Sequence, residues 1–346
     1  MATNASSNSS SSTAAAGKPV ALVVGASRGI GRQVAIDLAA NGYAVVVAAR
    51  SQSASGDGKS EKAAQFPPDP NSPQSTITTV AREIREAGGD AAAVPVDTRD
   101  FASVQALVAR TVERYGHLDV LVYNSGAIWW ASVEDTPMAR FQLMQSVNVE
   151  GLYGAVQAAL PHLKRSSFSG GGGGGRIVVV CPPIYSRFFR GKTAYAVGKV
   201  GMSVLVKGLA MDFERQQQQQ QQGTGEGGLG MAVTGIWPAA AIESAATKKF
   251  TRQDPSYARD LRKPTIFSDA ILAMLRAPAA VVNGQLELDE DFLQRHAGIR
   301  DFSRYAVVPG ASPRRIMPAQ LPDLTVKEQD DEGMRADSTK PTGAKL

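Results

Sequence analysis

The chain has one cysteine, Cys181, and three histidines in 346 residues. A lone thiol excludes an internal disulfide and suits a reducing compartment, and so few soft ligands give no basis for a zinc cluster. No apolar run approaches the ~20 residues of a membrane-crossing helix, so no membrane span is expected. The N-terminal segment has no charged stretch followed by an apolar core, so no secretory signal is expected; its poverty in arginine argues against a mitochondrial one. Basic residues exceed acidic ones by only five. They are scattered rather than striped, which argues against a nucleic-acid partner.

Several stretches also lack apolar residues. Residues 1–17 are mostly Ser, Ala, Thr and Asn; 51–75 is polar; Gly170–Gly175 is a glycine run; Gln216–Gln222 leads into a glycine-rich segment. With the polar end of the chain, about 100 residues cannot bury a core, leaving about 250 for one domain. The expected organisation is a disordered segment at 1–17 and a single domain at 18–305. Low-complexity insertions fall at 51–75, 166–175 and 216–230, with a C-terminal tail at 306–346.

The ordered part alternates between two periods. Apolar strand-like runs lie at Pro19–Val24, Ala44–Ala48, Ala91–Val96, Val120–Tyr123, Ile177–Val180, Met231–Trp237 and, more briefly, Gln285–Asp289. Helical periodicity occupies Gly29–Ala40, Ile77–Ala87, Phe101–Tyr115, Pro137–Leu163, Thr193–Arg215 and Phe267–Arg276. Strands alternating with helices predict an α/β fold: a doubly wound parallel sheet of about seven strands with helices on both faces. Such sheets bind ligands at the carboxyl ends of their strands.

The first strand runs into Gly25-Ala26-Ser27-Arg28-Gly29-Ile30-Gly31 and then a helix. Glycines let the backbone turn sharply, and the helix N-terminus offers free N–H groups to a phosphate. This turn predicts a dinucleotide cradle formed by Gly25, Ser27, Arg28, Gly29, Ile30 and Gly31. An NAD site usually has an acid at the end of the second strand. Here that strand ends Ala48-Ala49-Arg50, and Arg50 with Arg28 suits the 2′-phosphate of NADP(H). Tyr195 is the one tyrosine with a lysine, Lys199, four residues on. On a helix the two share a face, and an ammonium there should lower the phenol's pKa toward working pH. Such a phenol exchanges a proton with a carbonyl or alcohol oxygen.

Together these segments resemble the short-chain dehydrogenase/reductase family across Lys18–Asp289. Gly25, Gly29 and Gly31 match its cofactor glycines. Asp97 matches the acid near the adenine ring, and Asn124-Ser125-Gly126-Ala127 its Asn-Asn-Ala-Gly turn. The resemblance implies a Rossmann-type domain and hydride transfer between NADP(H) and a carbonyl or alcohol. Tyr195 is implied as acid/base, Lys199 as its partner on the nicotinamide ribose, and Asn148 as the residue that places a relay water. One member is missing. The family's serine thirteen residues before the tyrosine is Pro182 here, which has neither hydroxyl nor N–H to donate. Tyr185 or Ser186 is the candidate substitute. Ser203 and Asp212 lie too far along the helix.

The loop Cys181-Pro182-Pro183, the stretch Trp237–Ile242 and the run Gly284–Asp291 resemble a peroxisomal subgroup of that family. Many of its members carry a C-terminal sterol-carrier domain. Too few residues follow Asp291 for one, so no lipid-carrier role is expected. Ala344-Lys345-Leu346 resembles the Ser-Lys-Leu peroxisomal address, implying an import receptor as partner. Trp129 and Trp130 suit either the floor of an apolar, lipid-like substrate pocket or packing against a flanking helix or a second subunit. Met138, Leu143 and Met144 are expected in the core. His117, His162 and His296 have no acidic partner at motif spacing. The family resemblance also implies a homo-oligomer through Pro137–Leu163 and Thr193–Arg215. The reading is an NADP(H)-dependent oxidoreductase. The alternative is a nucleotide-binding scaffold or sensor silenced by Pro182, and an epimerase or dehydratase relative ranks last.

Overall fold

The computed structural model describes residues 17–53, 69–168, 174–224 and 230–322. Ala344-Lys345-Leu346, residues 1–16 and most of the expected insertion at 51–75 lie outside them. Seven strands, β1 (Val20–Val24), β2 (Ala44–Ala49), β3 (Asp90–Pro95), β4 (Val120–Tyr123), β5 (Arg176–Val180), β6 (Ala232–Trp237) and β7 (Leu286–Leu288), form one sheet. All are parallel, in the order β3-β2-β1-β4-β5-β6-β7. The chain winds outward from β1 to β3, then returns to place β4 on β1's other edge. A crevice therefore opens between the carboxyl ends of β1 and β4. Pairing of Val24 with Tyr123 sets Gly25 beside Asn124 at its floor.

The helices are α1 (Gly29–Ala40), α2 (Ile77–Glu86), α3 (Phe101–Tyr115), α4 (Met138–Met144), α5 (Gly151–Leu163), α6 (Thr193–Thr224), α7 (Lys248–Gln253), α8 (Thr265–Arg276), α9 (Ala279–Val282) and α10 (Asp289–Ala297). Alternate strand residues feed two cores. Ala21, Val23, Val45 and Val47 pack with Val34 and Leu38 of α1, Val80 of α2 and Phe267 of α8. Leu22, Val24, Val46 and Leu121 pack with Leu107 of α3, Leu152 of α5 and Met202 and Val206 of α6. Each fully buried Val, Leu or Phe contributes about 1.5–3 kcal/mol, so the sheet is held from both sides.

Four expectations are corrected. The helix expected over Pro137–Leu163 is α4 and α5 joined by a π-helical turn at Gln145–Glu150; continuous apolar periodicity hides such a change of pitch. Helix α6 runs on to Thr224, through the glutamines assigned to an insertion, because Gln is a good helix former. The tail expected from 306 is docked at its start. Ala306, Ala311 and Met317 are buried, Ala306 pairs with Arg262, and Arg315 pairs with Ala240. Finally, Thr193–Gln218 within α6 is long and apolar enough to cross a membrane by length and composition. Half of an 18-residue window within it is buried in this domain, where Met202, Val206, Ala210 and Phe213 face the sheet core.

Candidate active site

The glycine turn is shaped by close approaches. Gly25 has φ +89° and Gly29 φ +58°, conformations that L side chains rarely adopt. A Cβ on Gly31 would lie 2.2 Å from the Gly25 carbonyl oxygen and 2.5 Å from Nδ2 of Asn124. Through that gap the Asn124 amide donates to the Gly25 oxygen at 2.9 Å. Gly31 is buried, and the space a side chain would need there is filled by the Gly25 oxygen and the Asn124 amide. Ser75, from the end of the polar insertion, donates to the Ser27 carbonyl at 2.6 Å and fixes the turn from outside. Arg28 is the extended N-cap of α1 and makes no side-chain cap bond, so the helix's first N–H groups remain available to an anion.

These residues line a cleft of about 580 Å³ running from Arg28, Arg50 and Ser51 past Gly25, Gly29, Ile30 and Asn124 to Gly126 and Trp130. Its size, its glycine floor and its uncapped helix end fit a dinucleotide. Ser244, Ala245, Ala246 and Lys249, from the segment after β6, close its other side; the sequence reading did not include them. Asp97 is not among the lining residues. Arg99 takes its carboxylate through Nε at 2.9 and 3.1 Å and Nη2 at 2.5 Å. The Arg99 guanidinium holds that carboxyl down at about 2. Asp97 is thus engaged in an ion pair with Arg99, between Val96 and Thr98 of the cleft lining.

At the inner end, Lys199, Asn148 and Gly126 converge. A Cβ on Gly126 would stand 3.5 Å from both Lys199 Nζ and Asn148 Oδ1. Asn148 lies in the π-helical turn, fully buried. Its Oδ1 accepts from the Ala127 N–H at 2.8 Å and its Nδ2 donates to the Ala127 carbonyl at 3.2 Å. The side chain therefore clamps the turn after β4. Tyr123, missed by sequence reading, buttresses the same turn by donating to the Val147 carbonyl at 2.6 Å. Lys199 is buried and donates to the Val180 carbonyl at 2.7 Å. Burial lowers its ammonium to about 8.

Tyr195 is 3% exposed, and burial raises its phenol above the usual value of 10. This reverses the expected lowering by Lys199. Desolvation by burial is the cause, while the Lys199 ammonium donates to the Val180 carbonyl. Around Tyr195 stands an aromatic wall, with Trp130 edge-on at 6.2 Å and Phe188 at 6.3 Å. Trp237 meets Phe188 at 5.7 Å and carries Lys199 Nζ 5.5 Å from its centroid. The two adjacent indoles divide the roles proposed for them. Trp130 is 44% exposed at the cleft, while Trp129 packs into the Tyr195 cluster beneath Arg140.

Pro182 and Pro183 are buried, and the Pro182 carbonyl accepts from Ser203 at 2.7 Å. Ser203 thus serves the loop from below and offers nothing to a substrate. The Tyr185 hydroxyl donates to Met317 Sδ at 3.1 Å, engaged by the docked segment. The Ser186 side chain lies outside the described residues. Cys181 is fully buried, its thiol pushed up to about 12. Away from the site, His117 does have an acidic partner, Asp119, at 3.1 Å; that carboxylate also accepts from the Val20 N–H at the amino end of the sheet. Met138 is 66% exposed, not core. It lines a wider open groove of about 850 Å³ along α4 that holds none of the cleft residues.

The match to known proteins follows this geometry. Residues 19–66 and 71–218 match the family model for short chain dehydrogenases, and the chain belongs to that family. Within it the chain resembles hydroxysteroid dehydrogenase-like protein 2. It is 33% identical to the Danio rerio protein over 315 residues, 90% of this chain and 66% of that one, so it spans less than two thirds of that relative. A putative dehydrogenase from Xanthomonas campestris superposes with a TM-score of 0.70 at 34% identity, covering 90% of this chain and 99% of that one. A variant actinorhodin polyketide ketoreductase, solved with NADPH, gives 0.59 at 25% identity, covering 78% of this chain and 95% of its own.

Proposed function

We propose that the chain is an NADP(H)-dependent oxidoreductase acting on a carbonyl or alcohol. The observation that carries this is the convergence of Lys199, Asn148 and Gly126 at the inner end of the dinucleotide cleft, beside Tyr195. NADP(H) is favoured over NAD(H) because β2 ends without an acid while Arg28 and Arg50 both line the outer end. The relative solved with NADPH is consistent with that preference. When bound, the coenzyme supplies or accepts a hydride. The residues here do the rest. Arg28, Arg50 and the α1 N-terminus hold phosphate; Lys199 grips the ribose; Tyr195 gives a proton to the substrate oxygen; Asn148 keeps the Ala127 turn in place. The aromatic wall excludes water and suits an apolar substrate. The test is carbonyl-dependent oxidation of NADPH. Tyr195→Phe should abolish it, and unchanged turnover in that variant would refute the assignment.

Pro182 favours a second reading, a coenzyme-binding protein with little turnover. Loss of one oxyanion donor costs about 10²–10³ in rate, and neither Ser203 nor Tyr185 makes it good. Under this reading NADPH binds without turnover across a broad carbonyl panel. Pro182→Ser discriminates, since a rise of orders of magnitude identifies an enzyme muted at that position.

A further inference from the structure

The wall around Tyr195 carries two ammonium groups that the coenzyme reading does not fully use. Lys192 Nζ lies 4.4 Å from the Phe188 centroid and 5.6 Å from that of Trp130. Lys249 Nζ lies 5.3 Å from Trp130 and 4.8 Å from Phe250, and Phe250 stacks on Trp130 at 6.0 Å. Trp130 therefore has both cations near it and Tyr195 edge-on to it. Among the described residues, neither lysine has an acidic partner within ion-pair distance. Lys192 is half-buried, and desolvation disfavours its charge. Its position is fixed, because its N–H donates to the Phe189 carbonyl and its own carbonyl accepts from Ala196. Lys249 lines the dinucleotide cleft, but Lys192 does not.

Aromatic faces attract cations but do not neutralise them. A half-buried ammonium with an exposed one near the same indole, at the mouth of an apolar site, concentrates anions there. We propose that the substrate of the Tyr195 site is an amphipathic carboxylate. Its acid group would sit on Lys192 with Lys249 beside it, its apolar body would lie along Trp130 and Phe250, and its carbonyl would reach toward Tyr195. This rests on the reading of Tyr195 as the reacting end and narrows the apolar substrate to an anionic one. No covalent step is added: the lysines bind and orient.

The test is calorimetric titration of the full chain with decanoate and with decanol, in the presence and absence of NADP⁺. Decanoate should bind about tenfold more tightly than decanol at low salt, with the margin shrinking as salt is added. Lys192→Gln should remove most of that margin while leaving decanol binding unchanged, which also reports an intact fold. Lys192→Arg should keep it. Equal affinity for the two ligands, failure of both to bind, or a margin that survives Lys192→Gln would overturn the proposal. Titration of the same samples with NADPH reports separately on the coenzyme reading, so the two failures are distinguishable.

Discussion

Asp289 offers a test in which charge, burial and pH can be separated. It opens α10 directly after β7 and is 1% exposed. Its Oδ1 accepts from the N–H groups of Ala239 and Glu290, both at 2.8 Å, while Oδ2 is buried without a partner. Burial raises the carboxyl from 3.8 to about 7. A raised acid pKa means that between those two values the folded chain keeps a proton the unfolded chain has released. Stability from this group is therefore fully present below 3.8 and lost as pH rises toward 7. At 1.36 kcal/mol per unit, that interval corresponds to about 4 kcal/mol. The side-chain amide introduced by Asp289→Asn would not titrate and would still accept through its oxygen. Its N–H₂ group would, however, stand unpaired at a cost of about 1–3 kcal/mol. The variant should thus be less stable than the parent by about 1–3 kcal/mol near pH 4 and more stable by a similar amount above about pH 7.5. Denaturant unfolding of both proteins at the two pH values measures the crossover. A stability difference that is the same at both would show that Asp289 is ionised in the folded chain at acidic pH, and would refute the argument.

Three further outcomes follow from the same geometry. Because burial lowers Lys199 to about 8, its ammonium is lost as pH rises through that value. NADPH affinity, read by fluorescence titration, should fall across that range, and Lys199→Met should abolish the step. Gly31→Ala places a Cβ 2.2 Å from the Gly25 oxygen. It should cost about 1–3 kcal/mol in thermal unfolding and abolish coenzyme binding, since the turn must shift to admit it. Val197, Val204 and Met211 repeat every seven residues along α6 at 51%, 58% and 57% exposure, with Tyr153 of α5 at 60%. Such an apolar stripe supports self-association through these helices, so Val204→Glu should lower the mass measured by light scattering.

The fold was legible where one physical signal dominated. Strands such as β4 and helices such as α1 and α3 have the bounds expected from apolar period alone. The glycine turn was legible for the same reason: strand, turn and helix each leave a separate mark. Gly31 shows the limit of that signal. The residue type announces a close approach, but only the positions of Gly25 and Asn124 reveal that the neighbour is the chain itself. Lys192 and Lys249 lie 57 positions apart, and they meet at Trp130 only because the segment after β6 folds over the end of β4. Met317 lies in the expected tail because the segment from 306 carries no helical or strand period. Its burial comes from a single side chain filling the space beside Ala239 and Leu288, which periodicity cannot register. Backbone bonds then hold it, since the Ala239 carbonyl accepts from both Ile316 and Met317.

The departure at Pro182 and the burial of Tyr195 bear on each other. Under the proposed reading, with Pro182 in place of a serine, Tyr195 is the proton donor that the described side chains offer, and its pKa decides what it can do. Burial raises it above the usual value, so the phenol is protonated at neutral pH and acts as an acid. Lys199, at about 8, is still charged there and can hold the coenzyme's ribose while the phenol gives up its proton. A protonated donor suits reduction of a carbonyl, whereas oxidation of an alcohol would require a phenolate that this surrounding disfavours. Pro182 removes the second donor without altering that bias, because its own carbonyl is tied down by Ser203 and Tyr185 is turned toward Met317. Under the proposed reading the site is therefore biased toward reduction, with Tyr195 as its proton donor.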